Sequence, residues 1–400
     1  MPVEADAHLI LVGGALLAAG VAASLLAARL RLPALVLFLG VGMAIGSDGL
    51  GWIYFDNYAF ARFIGTIALV AILFEGGLKT GLAPLRPVIG SAVSLATVGT
   101  ATTAAAGGLA AHWLLHLSLQ EGMLLGAILS PTDGAAVFSL LRGVSLPSRL
   151  THMLEGEAGL NDPVAVMLVL VMIQVVTTPA YAPLDAVWFL VREIGIGLIL
   201  GVVCGGLAML GMRRSRTMAP GVALVATFAT AAIAYGAAGS LHASGFLAVF
   251  VTALMLGDAV MPQREAVFAF HEGLSTVAEM GMFFALGLLV FPSRLGAVAV
   301  RGTVLALVVV FVARPLGVWL ATALTRASAR ERVLLGWAGL RGGVPVVLAT
   351  LPVIAGVHGS RRFFDLVFFA VLVSTVLQGT TVESLARLLG LATPQAADSQ

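Results

Sequence analysis

The chain has 400 residues, 60% hydrophobic and only 10% charged, with a formal net charge of +2. A soluble domain carries about 25% charged residues, so a water-soluble globule is excluded, and so small a charge offers nucleic acid no hold. One cysteine, Cys204, excludes an internal disulfide.

Apolar runs of about 20 residues recur throughout, the length of a membrane-crossing helix. They are continuous rather than alternating, which selects helices over a barrel. The expected fold is an all-α polytopic membrane protein of about 13 spans, at 7–28, 33–46, 59–78, 88–116, 120–141, 150–177, 187–211, 217–239, 242–261, 266–291, 296–323, 333–357 and 363–388. No basic residue precedes the first run, which carries Glu4 and Asp6 ahead of it, so it reads as a retained helix rather than a signal peptide. The second span is short, and the fourth is long enough to tilt or kink. The expected organisation is one transmembrane domain over 1–390, with a first repeat at 7–177, a linker helix at 187–211, a second repeat at 217–388, and a short polar tail at 391–400.

An odd number of spans puts the termini on opposite sides. With the N-terminus outside, the cytoplasm receives Arg29, Arg31, Lys79, Arg86, Arg142, Arg149, Arg213, Arg214, Arg216, Arg264, Arg326, Arg330, Arg332 and Arg387. The outer side receives only Arg62, Arg192, Arg294, Arg301, Arg361 and Arg362. That bias predicts a cytoplasmic C-terminus, and the protein is assigned to the cell (inner) membrane.

Two spans carry Gly and Pro in mid-membrane: the fifth in SPTDG (130–134) and the twelfth in GLRGGVP (339–345), with Pro352 beyond. Each predicts a broken helix. They are the fifth members of two six-span repeats that run in opposite directions, the pattern of a secondary transporter with its site near the bilayer midplane.

Ionisable groups in membrane spans are expected to be functional. Asp133 follows Thr132 at the break in the fifth span, where freed carbonyls and a carboxylate supply hard oxygen ligands for an alkali cation. Asp162 lies in the sixth span, beside Asn161, and Pro163 frees the carbonyl of residue 159 from its helical bond. Glu157 shares a helix face with Asn161. Arg341, in the middle of the twelfth span, stays protonated and needs a counter-charge; Glu157 is the expected partner, a structural pair. Glu75 either lines an inlet funnel or only reaches the interface. Glu279 is expected to pair with Arg314 of the next span. The seven histidines fall near span ends and read as solvated surface, with none at metal-ligand spacing.

Together FEGGLKT (74–80), SPTDGAAV (130–137), EAGLNDPVAV (157–166), EMGMFFALGLL (279–289) and GLRGGVPVVLATLP (339–352) resemble the monovalent cation–proton antiporters, in their electroneutral NhaP-like branch. The resemblance covers about 7–390. It implies thirteen spans in inverted six-helix repeats, a homodimer, and alternating access. It implies that Asp162 binds cation or proton, that Thr132 and Asp133 complete the site, that Glu157 pairs with Arg341, that Asn161 holds the sixth span, and that Glu75 acts through water. It implies no enzymatic activity and no cofactor beyond the transported K⁺ or Na⁺ and H⁺. One departure stands out: the family often has Ser where this chain has Ala158, four residues before Asp162. A hydroxyl ligand is missing there, which puts sodium selectivity in question, and the twelfth-span motif is closer to the potassium–proton subgroup.

A carboxylate in a low-dielectric surrounding holds a proton or a cation in preference to bare charge. A neutralised site can move past apolar helices, whereas an empty charged one is costly to move, so competition alone yields obligatory exchange. Asn161 beside Asp162, in place of a second aspartate, predicts one-for-one electroneutral exchange. Rival readings are a cation channel, which would move ions without protons; a non-transporting sensor on the same fold; and an intramembrane aspartyl protease using Asp133 and Asp162, against which the expected Gly-x-Gly-Asp pattern is missing.

Overall fold

Where the solvent is lipid, a helix can present apolar side chains outward, and the long helices here do so along most of their exposed faces. The computed structural model describes residues 2–30, 32–133, 136, 144–178, 180–214, 219–261 and 263–394. Arg31, Arg142, Arg216, Gly134 with residues 135 and 137–141 at the end of the fifth predicted span, and residues 395–400 of the expected tail lie outside the described residues. The helices are α1 (Pro2–Leu30), α2 (Ala34–Ile45), α3 (Tyr58–Thr80), α4 (Leu82–Leu115), α5 (Leu119–Ile128), α6 (Ser148–Thr177), α7 (Pro183–Arg214), α8 (Pro220–Ser240), α9 (Gly245–Gly257), α10 (Arg264–Leu288), α11 (Pro292–Ala321), α12 (Ala329–Trp337), α13 (Gly343–Ile354), α14 (Ser360–Gly379) and α15 (Val382–Leu388). Eight helical stretches among the described residues are long and apolar enough to cross a membrane. One two-residue antiparallel bridge joins β1 (Val144–Ser145) to β2 (Thr393–Pro394).

Local sequence sets where these helices start and bend. α5 and α12 both open on a Ser-x-x-Glu capping box, Ser118 with Glu121 and Ser328 with Glu331. The regular winding of the long fourth span is interrupted by a 3₁₀ turn at Arg86–Val88 and a π turn at Leu95–Gly99. α11 contains a second π turn, Val309–Ala313. A π turn is one residue wider than an α turn and marks a local departure from regular winding.

The helices sort into two bundles. In the first, α2 and α3 pack on α9 and α10, with α1, α7 and α8 outside them. Lipid gives little drive for helices to associate, so small residues at the contact matter. Gly42 of α2 and Gly287 of α10 lie so close that a Cβ on either would meet the other helix's backbone. In the second bundle, α4 packs on α5, α5 on α6, and α11 and α13 on α14. The bundles meet where Gly65 of α3 faces Val347 of α13.

One expectation about polar residues fails here. His271 is not solvated: it is 1% exposed in α10, its Nε2 is 2.9 Å from Thr227 Oγ1, and its ring lies 4.8 Å from that of Phe74 in a tilted contact. Its nearness to the span end misled, because α8 and α3 cover that end.

Candidate ion-binding site

α5 stops at Ile128 because Pro131 has no N–H to continue the ladder and restricts the residue before it. Residues 130–133 are non-helical, as are 339–342 between α12 and α13. The two stretches cross, and each supplies a donor to a freed backbone carbonyl of the other. Asp133 N–H donates to the Leu340 carbonyl at 2.7 Å, and Arg341 Nε donates to the Leu129 carbonyl at 3.2 Å. Thr375 of α14 closes the arrangement by donating to the Arg341 carbonyl at 2.7 Å. Gly342 lies against the Asp133 carboxylate, and a Cβ there would collide with it.

α6 passes this crossing with Asn161 and Asp162 towards it. Asn161 is fully buried, and its Nδ2 donates to Thr132 Oγ1 at 2.6 Å. Asp162 is 8% exposed, and its Oδ1 has no hydrogen-bond partner. Asn161 Oδ1 is also buried and unpartnered. The Asp162 and Asp133 carboxylates are close enough to repel. Four hard oxygen sources thus gather: two carboxylates, the Thr132 hydroxyl and the Asn161 amide oxygen. A buried, unpartnered oxygen is costly, and two neighbouring carboxylates each favour a bound cation or proton over bare charge. That donor set suits an alkali cation, which is bound by oxygen dipoles and charge.

The arginines are arranged differently from expectation. Glu157 does not form its ion pair with Arg341. It pairs with Arg314 Nη1, both residues about 1% exposed, while Arg314 Nη2 donates to the Leu335 carbonyl at 3.0 Å. Arg314 directly follows the π turn of α11, which sets its direction. Arg341 instead lies in the non-helical stretch, where unwound backbone offers it acceptors: the Leu129 carbonyl and the Gly339 carbonyl at 2.5 Å. It still interacts electrostatically with both Glu157 and Arg314.

The expected Glu279–Arg314 pair is likewise not formed. Arg314 and Glu157 belong to the second bundle, whereas Glu279 sits on α10 in the first. There Glu279 interacts electrostatically with Asp133 and Glu75. Glu75 in turn pairs with Lys79 at 2.6 Å, one helical turn on, and Lys79 reaches Glu272 at 3.4 Å. A chain of carboxylates therefore runs from the end of α3 towards Asp162. The freed carbonyls expected as cation ligands at the fifth-span break are not all left for an ion: the Leu129 carbonyl is taken by Arg341 Nε, and the Leu340 carbonyl of the other stretch by the Asp133 N–H. Thr375, missed in the sequence, had a faint signal, as one of two hydroxyls in the apolar run VLVSTVL.

The chain matches a known family over most of its length. The profile described as sodium/hydrogen exchanger, transmembrane, matches residues 15–388. The chain belongs to the sodium/hydrogen exchanger family. It is 38% identical to the K(+)/H(+) antiporter NhaP2 of Shewanella baltica over 387 residues, which are 96% of this chain and 67% of that protein. It is 39% identical to the K(+)/H(+) antiporter NhaP of Alkalimonas amylolytica over 391 residues, with the same two shares. Its structure is similar to that of the sodium proton antiporter MjNhaP1 from Methanocaldococcus jannaschii, with a TM-score of 0.82 and 25% identity, over 96% of this chain and 99% of that one. As an exchanger-family member the chain is a multi-pass membrane protein, a cation–proton antiporter rather than an enzyme.

Proposed function

We propose that the chain exchanges K⁺ or Na⁺ for H⁺, one for one, with Asp162 taking the cation and the proton in turn. The observation that carries this reading is the Asp162 carboxylate, buried in α6 with Oδ1 unpartnered, beside Asp133 at the crossing of two interrupted helices. Thr132 and Asp133 complete the cation site. Asn161 ties α6 to the broken fifth span through Thr132, and it adds no titratable charge, which supports electroneutral exchange. Glu157 with Arg314, and Arg341 on its carbonyls, hold the site's supports. Glu75 and Glu279 face the approach to the site.

The second bundle carries the site, and we read it as the body that moves against the first in alternating access. The chain works in the inner membrane as a homodimer, with its N-terminus outside and its C-terminus in the cytoplasm, in two inverted repeats (about 7–177 and 217–388) joined by α7. K⁺ is the favoured ion: the 38–39% identical relatives are named K⁺/H⁺ antiporters, and Ala158 withdraws a hydroxyl one turn from Asp162.

Dye-reported proton movement in proteoliposomes, with K⁺, Na⁺ or Li⁺ added in turn, tests this. A cation-triggered signal lost in Asp162→Asn is expected. Silence with every alkali cation, from acid to alkaline pH, would overturn it.

A further inference from the structure

The chain crosses between the bundles at three places; the two at which it enters the second bundle are held in the same way, and the return runs from Thr177 of α6 to Pro183 of α7. Between α3 and α4 the connection is one residue, Gly81, with φ +66. Only a residue without Cβ adopts that conformation without strain, so the joint is a tight corner rather than a loose loop. Asp258, directly after α9, lies against Gly81, and its Oδ2 accepts from the Ala83 N–H at 2.7 Å. At the opposite end of the molecule α10 passes into α11 through residues 289–291. There Asp48, three residues after α2, accepts from the Ser293 N–H at 2.7 Å.

The two contacts correspond under the repeats proposed above. α2 and α9 are the second spans of their repeats, and α4 and α11 the fourth. In each case an aspartate just beyond the second span of one repeat satisfies an orphan N–H in the first turn of the fourth span of the other. Both aspartates belong to the first bundle, and both capped helices lead into the second. Displacement between two bodies is smallest where the chain runs unbroken from one to the other over a short connection, so a short hydrogen bond survives movement there.

We propose that Asp48 and Asp258 are positioning residues that hold two permanent pivots, one at each end of the molecule, so that the site-bearing bundle turns about the line joining them. This rests on the exchange reading for its function, though its geometry can be tested without transport.

In a Cys204→Ser background, cysteine pairs replace Asp48 with Ser293, Ala83 with Asp258, and, as a contact remote from the pivots, Gly65 with Val347. Each is treated with a short bifunctional thiol reagent in proteoliposomes at several pH values and cation concentrations. Equal cross-linking under all conditions is expected for the first two pairs, and condition-dependent yield for the third. Yield at either pivot that changes with conditions as strongly as the third overturns the proposal, whether or not exchange is seen. Where the chain exchanges, the pivot cross-links are expected to leave turnover and the remote one to stop it; arrest by a pivot cross-link also overturns it. Asp48→Ala and Asp258→Ala should each slow turnover roughly three- to tenfold, the scale of a lost cap, with the apparent cation KM unchanged. Asn, itself a good cap, should restore the rate at both positions. Wild-type turnover in both Ala variants would reduce the caps to ornament and sink the idea.

Discussion

At the site, the residue most open to change is one that is not there. Ala158 stands one helical turn before Asp162, where a hydroxyl would add a fifth oxygen source. A smaller ion is more strongly hydrated and needs more, or stronger, dipoles to replace its water. Ala158→Ser is therefore expected to lower the apparent KM for Na⁺ relative to K⁺, measured as paired cation titrations of the proton signal; an unchanged ratio would place selectivity elsewhere. The Glu157–Arg314 pair is structural by its position. Removing one member of a buried pair leaves the other charge stranded, at a cost of roughly 3–5 kcal/mol, whereas replacing both by apolar groups is often close to neutral. Glu157→Gln should lower the thermal midpoint in detergent by several degrees, and the double change Glu157→Leu with Arg314→Met should recover most of the loss. Both carboxylates and both arginines could be picked out of the sequence as groups that needed partners. Which arginine met Glu157 could not, because spacing in the chain says nothing of how far a neighbouring helix has been turned.

That turn is a property of α11. The π turn at Val309–Ala313 holds one residue more than an α turn, and in a helix of 3.6 residues per turn one residue is about 100° of rotation. Deleting Val312 should let the helix close to regular winding and swing Arg314 away from Glu157. The expected result resembles Glu157→Gln in stability, although neither charge has been removed. A deletion variant as stable as the parent would show that the pair forms without the wider turn. The placing of most helices and the non-helical stretches at 130–133 and 339–342 followed from hydropathy, Gly and Pro. The π turns did not, since no residue type commands them: α4 and α11 meet at those turns, and the widening belongs to the contact between two helices rather than to either sequence.

For the molecule entire, the cap at Asp48 sets a pH condition. Hydrogen bonds from the Ser293 backbone, and then its side chain, hold the Asp48 carboxyl below its ordinary value. A group lowered in this way contributes fully above the ordinary carboxylate range, about pH 4, and loses its contribution only as pH falls through the lowered value. The Ser293 amide should thus stay protected from hydrogen exchange, unchanged between pH 5 and 8, and lose that protection in Asp48→Ala at every pH. The fully exposed carboxylate makes this a test of geometry rather than of stability. The short bridge between Val144–Ser145 and Thr393–Pro394 has a different reach. It clips the chain just beyond α15 to the segment that opens, three residues later, into α6. Tension applied past Pro394 is therefore not dissipated in a loose end; it is delivered, as through a drawbar, to the helix on which Asp162 rides.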